Sequence, residues 1–127
     1  MLLDTDVVIA FFRGDAGAGK ALRDAERILI PVTVVGELLA GARKGGRMEQ
    51  ETARIEALIA AGQVLDCDLE TAHHYAAVRD ELRRRGRPMP ENDVWIVALA
   101  RQHDLVLASR DRHFDEIQGL RRDPCLN

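Results

Sequence analysis

The chain has 127 residues, 46% hydrophobic and 31% charged, with a formal net charge of −3. That length suits one domain over residues 1–127, able to remove roughly two-thirds of its unfolded-chain surface from water. The composition excludes a disordered chain, and the longest apolar run, Val94 to Ala100, is far short of the ~18 residues of a membrane span, so no membrane role is expected.

Met1-Leu2-Leu3-Asp4 lacks the basic start of a secretory signal, so the expected location is the cytoplasm. Leu2–Ile9 predicts a short buried strand that turns into helix around Asp6. Gly14–Gly19 predicts a loop or a weak helix start. Arg27–Pro31 predicts a second strand stopped by proline, and Thr33 an N-cap for a helix to about Arg43. Gly45-Gly46 breaks that helix, and Met48–Ala61 has the spacing of an amphipathic one.

Gln63–Asp66 is a third strand candidate, and Asp68 caps a predicted helix to Arg85. Cys67 reads as a buried small hydrophobe and Cys125 as a loose tail residue; the two make no disulfide framework. Gly86–Pro90 is a break. Asn92 is the expected cap of the most apolar helix, from Asp93 to about His103. Leu105–Ala108 is a fourth strand, and Ser109–Phe114 a loop or single helical turn. Strands alternating with helices predict an α/β fold with a parallel sheet covered on both faces, whose ligands bind outside the carboxyl ends of the strands.

Four acids, Asp4, Glu37, Asp93 and Asp111, each sit beside apolar residues. Acids at the edge of a core need a compensating partner, and a divalent cation is a common one. Two carboxylates ~5 Å apart repel by roughly 3 kcal/mol at an effective dielectric of ~20, so four converge only with protons or metal between them. Hard oxygen ligands select Mg²⁺ or Mn²⁺ over zinc, since no Cys/His set accompanies them. Such a cation retains water able to attack a phosphodiester. Each acid also has an ordinary reading: Asp4 and Asp6 as turn formers, Glu37 as an exposed helix acid, Asp93 as a cap, Asp111 as a turn residue. With the four set aside, the remaining charge is −3 + 4 = +1, which leaves basic patches free to meet a polyanion.

The joint pattern is Leu3-Asp4-Thr5-Asp6-Val7-Val8-Ile9, Gly36-Glu37-Leu38, Asn92-Asp93-Val94-Trp95-Ile96-Val97-Ala98 and Ser109-Arg110-Asp111-Arg112-His113-Phe114. It resembles the PIN-domain ribonucleases, most closely their VapC-like toxin branch, over almost the whole chain. The resemblance implies a three-layer α/β/α fold with a small parallel sheet and a Mg²⁺- or Mn²⁺-dependent endoribonuclease. Asp4, Glu37, Asp93 and Asp111 match the family's acidic quartet, with Asp4 and Asp93 as direct metal ligands and Glu37 and Asp111 acting partly through water. Asp6, Ser109 and Asp115 would be outer members. The resemblance also implies the toxin of a toxin–antitoxin pair, a homodimer, and inhibition by a small cognate antitoxin protein.

Arg83-Arg84-Arg85-Gly86-Arg87 reads either as a solvated helix end or, through Arg84, Arg85 and Arg87, as contacts that steer RNA phosphates. Gly14–Ala21 nearly matches a phosphate-cradling loop, but Ala21 replaces the required hydroxyl, and a glycine-rich connector accounts for it better. A phospho-receiver module would need a strand near position 50. A PIN-like fold kept as a non-catalytic RNA- or protein-binding module is the remaining alternative.

Overall fold

A computed structural model describes residues 1–127. β1 (Leu2–Leu3) passes directly into α1 (Thr5–Phe12), because the Asp4 carboxylate accepts from the Thr5 amide and caps the helix. The expected turn from strand into helix around Asp6 thus falls at Asp4, one to two residues earlier. α2 (Ala16–Asp24) follows, capped by Asp15 through the Ala18 amide. Gly14–Gly19 is therefore the expected helix start, and in Gly14–Ala21 only Gly14 and Asp15 remain connector. Gly17 is there because the chain's own tail lies against it; a Cβ would come within 2.4 Å of the Cys125 carbonyl oxygen.

β2 (Leu29–Pro31) leads into α3 (Val32–Lys44), with Pro31 rather than Thr33 at the N-cap position. Thr33 lies inside the first turn, and its Oγ1 is buried without a hydrogen-bond partner. α4 (Met48–Ala61) occupies the segment where a receiver module would need its phosphoacceptor strand. β3 (Gln63–Leu65) precedes α5 (Leu69–Arg85), which begins on the Asp68–Thr71 capping box and ends at Gly86 in the left-handed region, φ 62°. α6 (Glu91–Gln102) starts after Pro90, so Asn92 is inside the helix and not its cap. β4 (Leu107–Ala108), a 3₁₀ turn (Arg112–Glu116) and a fifth strand, β5 (Arg122–Asp123), complete the chain.

The five strands form a wholly parallel sheet in the order β3-β2-β1-β4-β5, with Leu3 beside Ala108 and Leu2 beside both Leu29 and Leu107. Helices flank it in contacting pairs, α1 with α2, α3 with α4 and α5 with α6. This is the expected three-layer α/β/α arrangement. Leu2, Leu3, Ile30, Leu107 and Ala108 have no exposure, as a sheet covered on both faces requires. They join Val94, Ile96, Val97 and Leu99 of α6 and Phe114 in one core. No helix is long and apolar enough to cross a membrane.

Two expectations about cysteine are reversed. Cys67 is exposed, and Cys125 is buried and 3% accessible; both are free thiols. The tail is ordered by Arg110, whose guanidinium donates to the carbonyls of Pro124 and Cys125 and to Asp15.

Candidate active site

The strand order reverses between β1 and β4: successive strands are added outward as β2 and β3 on one side and as β4 and β5 on the other. Such a switch point opens a crevice at the carboxyl ends of the strands. The parallel register sets the residues that follow β1 and β4 side by side. Asp4 and Ser109 meet there, and the Ser109 hydroxyl donates to Asp4 Oδ2 at 2.7 Å.

Asp4 is 8% exposed. Burial pushes its carboxyl up to about 6; the Ser109 and Thr5 hydrogen bonds oppose this, and the charges of Asp6 and Asp93 reinforce it. Asp93, in the first turn of α6, is also raised, first by burial and then by the charges of Asp111 and Glu37, against the pull of His113. The acids predicted from sequence thus feel one another across four separate elements.

Glu37 projects from α3. Its Oε2 accepts from Thr5 Oγ1 at 2.9 Å and its Oε1 from Asn92 Nδ2 at 3.0 Å, so α1, α3 and α6 are tied through one carboxylate. Asp111 precedes the 3₁₀ turn and accepts from the amide of His113 at 3.1 Å. The His113 ring stands between two acids: Nδ1 is 2.7 Å from Asp111 Oδ1 and Nε2 3.0 Å from Asp93 Oδ2. These are ion pairs when the ring is protonated, but Nε2 is not aligned for a hydrogen bond.

The outer residues divide. Ser109 touches Asp4 directly. Asp6 accepts from the Arg110 amide through Oδ2, and its Oδ1 is buried with no partner. Asp115 turns away: the Arg122 guanidinium grips both its oxygens, at 2.8 and 2.9 Å, and holds its carboxyl below the usual range. Arg84 pairs with Asp80, Arg85 lies 3.9 Å from Glu81, and Arg87 is 3.5 Å from Glu116, which ends the 3₁₀ turn. These arginines are exposed and partly neutralised.

No three His, Cys, Asp or Glu side chains converge closely enough to hold a metal ion. Each acid of the quartet is instead engaged by a neighbouring protein group. The donor chemistry nevertheless suits a hard divalent cation. Every donor is oxygen, Asp4 is costly to ionise without a counter-charge, and Asp6 Oδ1 is an unused buried acceptor. Mg²⁺ is commonly held by one or two carboxylates while keeping several waters. A cavity of about 350 Å³ opens beside Thr5 and Glu37, with Leu38, Ala42 and Ile55 in its wall and Arg13 and Arg54 also lining it.

Sequence inspection overlooked Thr5 and His113 and read Asn92 as a cap. Asn92 and Thr5 carry the short polar side chains that bridge a buried-edge carboxylate. The signal for His113 was its place two residues after Asp111 and next to the apolar Phe114.

The profile described as PIN domain matches residues 1–120. A tRNA(fMet)-specific endonuclease VapC of Shigella flexneri is 31% identical over 126 residues, covering 96% of this chain and 95% of that protein. Ribonuclease VapC2 of Haemophilus influenzae is 30% identical, with coverage of 96% and 95%. Among solved structures, the DNA-bound VapBC complex of Salmonella typhimurium superposes with a TM-score of 0.87 at 29% identity, covering 96% of this chain and 95% of that one. The VapBC2 complex of Rickettsia felis, bound to a promoter DNA fragment, superposes at 0.88 with 21% identity and 96% coverage of both chains, a likeness of fold.

Proposed function

This chain belongs to the PIN-domain family, in its VapC branch, and from that premise we propose that it is a metal-dependent endoribonuclease hydrolysing RNA phosphodiester bonds, the toxin of a toxin–antitoxin pair. The observation that carries the proposal is the electrostatic coupling of Asp4, Asp93, Glu37 and Asp111 at the switch point, with Asp4 held near 6. A buried carboxyl so poised gains most from a bound cation. Nuclease activity also agrees with relatives named as ribonucleases over almost their full length.

In this proposal Asp4 and Asp93 hold the cation, Mg²⁺ or Mn²⁺, and Glu37 and Asp111 complete the acidic rim. A bound cation would lower the pKa of a water at the scissile phosphate and neutralise phosphate charge. The chain's own groups do the positioning. Ser109 fixes one Asp4 oxygen and the Thr5 amide the other. Thr5 and Asn92 clamp Glu37, leaving its remaining lone pairs to orient a water at the rim. Ser109 and Asp6 act from behind Asp4; Asp115 serves the Arg122 pair.

Arg84, Arg85 and Arg87 are proposed RNA phosphate contacts, beside the Glu116 end of the 3₁₀ turn. Exposed Ile9, Leu39 and Met48 and the cavity beside Glu37 suit a small antitoxin protein, and the two solved structures named above are VapBC complexes. A homodimer and a cytoplasmic location complete the proposal, with residues 1–127 as one domain.

The test is cleavage of a 5′-labelled structured RNA by wild type and Asp4→Asn, with Mg²⁺, with Mn²⁺ and with EDTA. Wild-type cleavage that depends on the cation and falls at least about a hundredfold in the variant supports the proposal. Equal cleavage by both proteins sinks the site. RNA binding without any cleavage would favour a non-catalytic binding module.

A further inference from the structure

Asp93 and Asp111 each present one oxygen to the same imidazole, through its two different nitrogens. A ring inserted this way keeps the two carboxylates apart. A cation held on Asp93, keeping a water that faces Asp111, needs the space that the ring fills. The spacing imposed by the ring accords with the absence of any three acidic, histidine or cysteine side chains meeting at one point.

The ring is held by its two carboxylate contacts, at 2.7 and 3.0 Å, and by one aromatic neighbour. Nε2 is buried yet has no aligned hydrogen bond, and the ring packs at 4.5 Å on Phe114 from one side. The His113 side chain is 32% exposed, so a rotation about its first side-chain bond has a way out to solvent. Its backbone need not follow, because the His113 amide is fixed to Asp111 Oδ1.

We propose that His113 and the divalent cation are alternative occupants of the space between Asp93 and Asp111: the ring swings out when a cation held on Asp93, with its water facing Asp111, takes that space. This rests on the reading of the acidic quartet as a cation site. His113 is then a gating residue that sets cation affinity by competition, neither a ligand nor a brace for the ligands.

The experiment measures Mn²⁺ binding by the electron paramagnetic resonance signal of the free ion, with the full chain at one fixed pH. Wild type, His113→Ala, His113→Gln and Asp93→Asn are compared, each checked for folding by thermal melting. In parallel, Mg²⁺ is titrated into wild type while the His113 Hε1 resonance is followed, identified by its loss in His113→Ala. Competition predicts that His113→Ala binds Mn²⁺ roughly fivefold tighter or more, given the modest strength of half-exposed ion pairs. His113→Gln, too short to reach both acids, moves in the same direction, and its result stands if the Ala variant fails to fold. The Hε1 signal shifts with the same midpoint as cation binding. Unchanged or weaker binding in the variants, with Asp93→Asn still impaired, overturns the gate and leaves the cation site standing. No Mn²⁺ binding by any of the four proteins overturns the cation site, and the gate with it.

Discussion

The Ser109 hydroxyl reaches Asp4 Oδ2 at 2.7 Å, joining residues 105 positions apart. Both are buried, and both follow central strands of the sheet. The bond favours the charged form of an acid that burial disfavours. Ser109→Ala should therefore push the Asp4 titration higher than about 6, followed by carboxyl carbon chemical shift. Cation affinity should fall at neutral pH. Hydrogen bonds to charged groups contribute about 1.5–3 kcal/mol, which bounds the effect.

Asp4 makes stability depend on pH in a direction opposite to most acids. Its folded value of about 6 lies above the ordinary 3.8, so the fold favours the neutral form. That contribution is fully present below 3.8 and is lost as pH rises through 6. In the absence of divalent cations, Asp4→Asn should be more stable than wild type at pH 7.5, by on the order of 2 kcal/mol. The difference should fade below pH 4, and Mn²⁺ should stabilise wild type alone. Urea denaturation of both proteins across pH checks this.

Glu37 depends on Asn92 and Thr5 for its orientation. Asn92 is exposed, so Asn92→Ala should cost less than about 1 kcal/mol of stability yet slow RNA cleavage by roughly tenfold or more. Cleavage kinetics alongside thermal melting would separate the two effects.

Two glycine substitutions should act in opposite directions. Gly17→Ala drives a methyl into the Cys125 and Leu126 backbone and should destabilise by about 1–3 kcal/mol. Gly41→Ala, in open space within α3, should stabilise by about 0.5–1 kcal/mol. Urea midpoints measure both.

Several features were legible in the sequence because local rules governed them. Asp68 as a cap, and the Met48–Ala61 periodicity, produced helices with the expected bounds. The quartet was visible because Asp4, Glu37 and Asp93 border apolar residues that β1, α3 and α6 bury, and Asp111 follows the buried strand β4. Thr33 and Asn92 were misread because Pro31 and Pro90 start their helices earlier and free both polar side chains from capping. β5 has only Arg122 and Asp123, with no apolar alternation to reveal it. Cys125 is buried by long-range contacts, the tail folding onto Gly17 and Arg110, which no local pattern encodes.

The most direct measurement is the rate of RNA cleavage as a function of Mn²⁺ concentration for wild type and Asp93→Asn. Asp93 is raised first by burial and then by the charges of Asp111 and Glu37. The wild-type rate should rise from zero and saturate with Mn²⁺, and Asp93→Asn should require far more Mn²⁺ and reach at most about a hundredth of that rate. Wild-type cleavage that persists without divalent cation, or an Asp93→Asn curve that overlays the wild type, would contradict the acidic quartet as a cation-dependent nuclease site.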